Sequence, residues 1–244
     1  MCGRYVAATP PDQLAEYFDA SDHDVLTSNP QIHSSRYNVA PTQHCTVVLQ
    51  RDGERQLAML RWGLVPFWAR DPSVGARMIN ARVETVASKP AFKQAVSRRR
   101  CLVAADGYYE WKKLLGRKDK QPMFLHRDSG SPLAFAGLWE RWREPTNHPD
   151  ASPMVRETFT ILTQPAEASI ADIHDRMPVI VPQHGWGDWL DPTQTDPHQA
   201  LASRETWTPE QLVAHPVSTE VNKVANDGAH LCAEAPPLVT DLGL

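Results

Sequence analysis

The pair Asp52-Gly53, set between two apolar runs, constrains the fold of this chain more than any other feature. Thr46 to Arg51 and Glu54 to Trp62 are strand-like runs carrying Val47, Val48, Leu49, Leu57, Leu60 and Trp62. A two-residue Asp-Gly link suits a turn whose central residues both take positive φ, so an antiparallel hairpin is predicted here. Further strands are predicted at Met123 to His126, Leu133 to Leu138 and Thr158 to Thr163. Cys101 to Ala105 and Tyr108 to Lys112 are expected to form another strand pair or a bend about Asp106-Gly107.

Helices are peripheral in this reading. Thr9-Pro10-Pro11-Asp12 offers a hydroxyl N-cap, proline in the first turn and an acid three residues after the cap, with Leu14, Tyr17 and Phe18 following on one face. Short helices are expected around Ala91 to Val96, Trp186 to Leu190 and Pro209 to Ala214. Pro66 to Gly75, which carries Phe67 and Trp68, and Glu144 to Pro153 read as loops. The pattern predicts an α+β fold, a single domain over 1–244, built on a mainly antiparallel sheet or open barrel with peripheral helices. At 244 residues and 41% hydrophobic composition the chain can bury a sizeable core.

No stretch reaches the ~18 consecutive apolar residues of a membrane span, and Met-Cys-Gly-Arg-Tyr does not open like a secretion signal. A cytoplasmic protein is expected, nucleoid-associated in a bacterium or nuclear in a eukaryote. The four cysteines, Cys2, Cys45, Cys101 and Cys232, form no CxxC pair and no cysteine–histidine cluster, so no metal is expected; the last three read as small core residues. Net charge is −4, yet between Ala76 and Lys120 twelve Lys or Arg face four acids. Such asymmetry permits one basic face for nucleic acid, and equally an unevenly charged solvated surface.

Cys2 carries the most distinctive chemistry. Initiator methionine is normally removed ahead of a small second residue, which here leaves an N-terminal cysteine, a 1,2-aminothiol. Ordinary pKa values near 7.7–8.0 for an α-amine and about 8.5 for a thiol keep both groups partly nucleophilic at neutral pH. The amine can condense with an aldehyde and the thiol can then close a five-membered thiazolidine. A cysteine at position two is, by itself, as compatible with a frayed terminus.

A series of motifs decides between these readings. Met1-Cys2-Gly3-Arg4-Tyr5, Arg36-Tyr37-Asn38-Val39-Ala40-Pro41 and Trp62-Gly63-Leu64-Val65-Pro66 with Trp68 come first. Ile79-Asn80-Ala81-Arg82-Val83-Glu84-Thr85, Asp106-Gly107-Tyr108-Tyr109-Glu110-Trp111-Lys112, Ile173-His174-Asp175-Arg176-Met177-Pro178 and His215-Pro216-Val217-Ser218 with Val221-Asn222 follow in order. The chain thereby resembles the SRAP family of abasic-site processing proteins, also described as SOS-response-associated peptidases, over nearly its whole length.

The resemblance implies a protein that binds single-stranded DNA containing abasic sites and captures the sugar aldehyde covalently through Cys2. It implies that Asn80 contacts the sugar and the terminal amine, that Glu110 supports the amine and that His174 assists proton transfer. Arg4, Arg82 and Arg176 are implied to approach phosphates, while Asn38, Pro41, Trp68 and Thr163 line the strand's path. No cofactor and no metal are expected, and the chain is expected to act as a monomer. Two other enzyme classes share features of this terminus: a peptidase, acting on the chain itself or in trans, and an N-terminal-cysteine amidotransferase, for which no Asn-Gly-Glu-type glutamine-binding run is present. A non-enzymatic DNA-binding module is a further alternative, and it would bind DNA without Cys2.

Overall fold

The computed structural model describes residues 2–21, 35–145, 153–207 and 211–238. The hairpin forms as its turn pair requires. Strands β3 (His44–Arg51) and β4 (Glu54–Trp62) pair antiparallel from His44 opposite Arg61 to Arg51 opposite Glu54. Asp52 and Gly53 both take positive φ, 52° and 85°.

This hairpin belongs to a seven-stranded sheet that also holds β5 (Asn80–Arg82), β6 (Arg100–Ala105), β9 (Leu133–Arg143), β10 (Val155–Pro165) and β11 (Arg176–Pro178). Because β9 pairs along its length with β10, the strands β10, β4, β3, β6 and β9 close into a ring. Closure removes the free edges that such a sheet would otherwise expose. Most pairings are antiparallel; β10 runs parallel to β4 and to β5. A second, five-stranded antiparallel sheet is ordered β12 (Leu212–Pro216), β8 (Lys120–Arg127), β7 (Gly107–Lys113), β1 (Tyr5–Ala7) and β2 (Arg36–Val39). The α+β expectation, with a partial barrel and few helices, is thus met.

Alternation along the ring strands divides the core in two, as the two-residue period of a strand dictates. Val47, Leu49, Leu60, Trp62, Phe135 and Phe159 cluster with Cys2, Tyr5 and Tyr108 of the smaller sheet. Val48, Leu57, Leu102 and Ala134 instead pack with Leu14 and Phe18 of α1 (Pro11–Phe18), Val96 of α2 (Lys93–Arg98) and Trp186 and Trp189 of α3 (Trp186–Leu190). The first cluster places Cys2 at the junction of the two sheets.

Several expectations are corrected. Thr9 does not cap α1: Pro10 is the N-cap residue and offers no side-chain bond. Thr9 instead donates its hydroxyl and its N–H to the Asp106 carboxylate, which also accepts the Ala8 N–H. Asp106 lies where the chain leaves β6 in the ring and enters β7 in the smaller sheet, so of the two expectations here, strand pair or bend, the bend is met. Leu212 to Ala214, part of the helix expected around Pro209 to Ala214, instead belong to the edge strand Leu212–Pro216 on β8, because pairing with an otherwise open sheet edge outweighs a weak local helix preference. Pro209, and residues 146–152 of the expected surface loop, lie outside the described residues.

Part of the basic stretch is turned inward or paired. Arg100 is buried and donates its fork to the carbonyls of Trp189, Val96, Ser97, Gln194 and Asp191, tying α2 and α3 to the ring. Arg99 pairs with Glu140, Lys112 with Asp172 and Arg117 with Asp119. Four of the twelve basic side chains of this segment are thus engaged within the fold.

Candidate active site

Three chain segments converge on the one that carries Cys2. Cys2 precedes β1, is fully buried, and its carbonyl accepts a 2.8 Å bond from Asn80 Nδ2. Asn80 is held by the ring: β5 pairs with Ile161 on β10, and the preceding Ile79 carbonyl accepts from the Trp62 indole at 2.9 Å. The chain reaches β5 through a tight approach of two loops. A Cβ on Gly63, at φ 121°, would lie 2.6 Å from the Gly75 carbonyl oxygen, so only glycine fits.

Glu110 enters from β7, buried among aromatics at 3% exposure. Burial pushes its carboxyl up to about 7. His174, from the segment before β11, places Nε2 3.9 Å from Glu110 Oε2, and burial holds its imidazole below the ordinary value. Two contacts at His174 Nδ1 demand opposite tautomers: the Arg176 N–H donates to it at 3.0 Å, while Asp175 Oδ1 lies 2.8 Å away. The backbone donor is fixed, whereas the Asp175 side chain is 88% exposed and free to swing. Nδ1 is therefore the acceptor, and the neutral ring turns its Nε2 proton toward Glu110.

His174 thus offers a hydrogen-bond donor beside a carboxyl whose raised pKa lets it take up and release a proton near neutral pH. The thiol is tuned differently. Burial, reinforced by Glu110, pushes Cys2 well above the thiol range, with the Arg4 backbone N–H pulling in the other direction. With Met1 in place, the sulfur is thereby biased toward the neutral thiol.

The implied DNA-binding residues fall into distinct settings. Arg4 donates to Asn38 Oδ1 at 2.7 Å and to the Val221 carbonyl at 2.8 Å, and its guanidinium lies 5.8 Å from the Trp111 ring centre. Asn38 is buried and spends its amide on the carbonyls of Val221, Lys223 and Asn226. Arg176 grips Glu84 with both terminal nitrogens and donates to the buried Thr163. Arg82, two residues beyond Asn80 and opposite Thr163, is exposed. Pro41 is half-buried in the loop after β2, and Trp68 is 53% exposed in the loop after β4 beside Phe67 at 52%. Ala69, the next residue, is buried against Trp142, whose indole donates to its carbonyl. The structure thus brings Cys2, Asn80, Glu110 and His174 together, while Pro41 and Trp68 make no hydrogen bond or ring contact with that group among the described residues.

Tyr108 was not singled out from sequence. Its hydroxyl is buried without a hydrogen-bond partner among the described residues, and it feels Cys2 and Glu110 electrostatically. The only sequence signal is its place two residues before Glu110, which puts both on one face of β7.

The family model described as SOS response associated peptidase (SRAP) matches residues 1–224. The chain belongs to the SRAP family. Among its relatives, the abasic site processing protein YoqW of Bacillus subtilis is 38% identical over 231 residues, covering 95% of this chain and 98% of YoqW. The abasic site processing protein YedK of Escherichia coli is 34% identical, covering 95% and 98%. The abasic site processing protein HMCES of Pongo abelii is 31% identical, covering 93% of this SRAP chain and 74% of HMCES. The crystal structure of a Bacteroides thetaiotaomicron protein, 22% identical, superposes with a TM-score of 0.79 over 96% of this chain and all of its own, a likeness of fold.

Proposed function

We propose that this SRAP chain captures abasic sites in single-stranded DNA as part of the DNA-damage response, forming a thiazolidine on Cys2 once Met1 has been removed. The observation that carries this reading is the convergence of a second-residue cysteine with an amide, a high-pKa carboxyl and a neutral imidazole. Its relatives are named for abasic-site processing.

The chemistry follows from the tuning. Because the sulfur is biased toward the neutral thiol, the amine attacks first. Glu110 takes a proton from the terminal ammonium, and the freed amine adds to the sugar C1′ aldehyde. Loss of one water gives the imine: the proton that Glu110 took from the ammonium leaves with the departing oxygen, to which His174 offers a hydrogen bond from its Nε2–H. The thiol then adds across the C=N bond: sulfur bonds to C1′ and its proton passes to nitrogen, closing the ring with no further co-reactant. Asn80 holds the Cys2 carbonyl, fixing the direction in which amine and thiol project. Its Oδ1, buried and unbonded among the described residues, is placed to accept from the amine or a sugar hydroxyl.

In this reading Arg82 meets the backbone directly, whereas Arg4 and Arg176 reach phosphate from mounts built by Asn38, Glu84 and Thr163. Trp68 offers a stacking face worth about 1–3 kcal/mol per base. The peptidase chemistry in the family's description is assigned to hydrolysis of the chain's own Met1–Cys2 bond, which must precede capture. The test is direct: purified protein incubated with a single strand carrying one abasic site is expected to give a species that survives denaturation on a gel, and none with the intact strand. Absence of that species under mild neutral conditions would refute the proposal.

A further inference from the structure

Away from Cys2, a groove of about 570 Å³ opens where the start of β3, the end of β4, β9 and the start of β10 come together. Strand register puts His44 opposite Arg61, and Arg141 opposite Glu157 beside Arg156. Its one acid, Glu157, is already held by Arg51 through both carboxylate oxygens at 3.0 Å. Arg61, Arg141 and Arg156 have neither a hydrogen bond nor an ion pair from their side chains among the described residues, and Arg156 Nε is buried without a partner. Arg61, Arg36 and Arg156 all act on His44, adding to the effect of its burial in holding it neutral.

Like charges gathered without counter-charge are unfavourable unless an anion joins them. Scattered guanidiniums along a channel match an anion that repeats, and the exposed apolar Met154 and Val155 on the same wall offer contact to sugars or bases. The groove is also connected to the active site. The loop from Pro41 to Gln43 leaves β2 just after Asn38 and ends at His44, and Arg36 bonds to the His44 carbonyl and to Gln43. On the other side, the loop bearing Phe67 and Trp68 is anchored at Thr158 and Trp142, flanking the same part of β9 and β10. Arg156 lies five residues along β10 from Ile161, the partner of Asn80, or roughly 17 Å at strand spacing.

We infer that this groove is a second phosphate-binding subsite, in which Arg61, Arg141 and Arg156 hold the backbone of the single strand flanking the lesion after it passes Pro41. The inference rests on the proposed function for its choice of ligand, and its test separates the two. The probe is an intact oligothymidylate of about 16 nucleotides, the upper end of the footprint of one single-strand-binding fold, read by fluorescence anisotropy across a salt series. The Arg61→Gln, Arg141→Gln, Arg156→Gln triple variant is expected to bind about tenfold or more weakly at low salt, with the log–log salt slope reduced by about 2, from ~0.7 per lost phosphate contact. The matching triple lysine variant, with thermal melting to verify the fold of both, is expected to keep most of the slope.

Wild-type affinity and slope in the glutamine variant would overturn the subsite. Equal loss in the lysine and glutamine variants would also overturn it, since packing and not charge would then be at work. Groove-dependent binding of the intact strand, with no wild-type adduct on abasic DNA, would sink the capture reading and leave the groove. An adduct whose parent protein binds intact strand independently of the three arginines would sink the groove alone.

Discussion

Cys2→Ser is expected to abolish the denaturation-resistant adduct while leaving an imine that borohydride can trap. Serine keeps the α-amine, so condensation with the aldehyde still proceeds. The hydroxyl, however, is a far poorer nucleophile toward the imine carbon than sulfur, and the reversible imine is lost on denaturation. The fold should tolerate the change only in part, because Cys2 is fully buried in the apolar cluster at the sheet junction. Thermal melting therefore accompanies the adduct gel. A serine variant that is folded and gives as much stable adduct as the wild type would remove sulfur from the mechanism.

Glu110→Gln is expected to slow capture by about 10²–10⁴-fold, the usual worth of general acid–base help, with little change in affinity for the strand. The wild-type rate should fall as pH drops below about 7, where the Glu110 carboxyl becomes protonated and can no longer accept from the ammonium. The variant should lack that inflection. His174→Ala should also slow the reaction, through loss of the hydrogen bond to the departing oxygen.

Stability should change in the opposite direction. A carboxyl whose pKa is raised on folding binds its proton more tightly in the folded state, so wild-type stability declines as pH rises from about 4.5 to about 7. Glutamine carries no such penalty. The variant should be the more stable protein above pH ~7, by on the order of 3 kcal/mol at most, and the difference should fade below pH ~4.5. Denaturant titration of both proteins at several pH values reads this directly. A variant with wild-type capture kinetics across pH would take Glu110 out of the mechanism.

What could be read from the sequence follows the range of the interaction responsible. Asp52-Gly53 announces its hairpin because the required backbone geometry is local to two residues. Thr9 carries an equally local signal, a cap, but its hydroxyl is claimed by Asp106, 97 positions away. Leu212–Pro216 becomes a strand because β8 presents it with an open edge, which no local pattern reveals.

At the site, Cys2 is legible from chemistry and position alone. Asn80, Glu110 and His174 are legible only through the ordered motifs, since each is an ordinary residue until the fold brings it to the terminus. The mounts of Arg4 and Arg176 depend on carbonyls and carboxylates from remote segments, Val221 and Glu84 among them. The basic groove has no trace in any charge run, because β3, β4, β9 and β10 each contribute one basic side chain. The run that was conspicuous, Arg98 to Arg100, includes an arginine buried to cap carbonyls.

The central claim is that a free α-amine beside the Cys2 sulfur forms the adduct, and one comparison tests it most directly. Wild-type protein is set beside a variant with residues ahead of Cys2 that cannot be trimmed, each incubated with abasic single strand and weighed intact by mass spectrometry. The account predicts that the processed wild type gains the mass of the oligonucleotide less one water. The extended variant, folded and binding the strand with the same salt dependence, should gain nothing that survives denaturation, because its amine is now an amide. Equal adduct yield from the extended protein would contradict the thiazolidine and recast Cys2 as a simple thiol nucleophile.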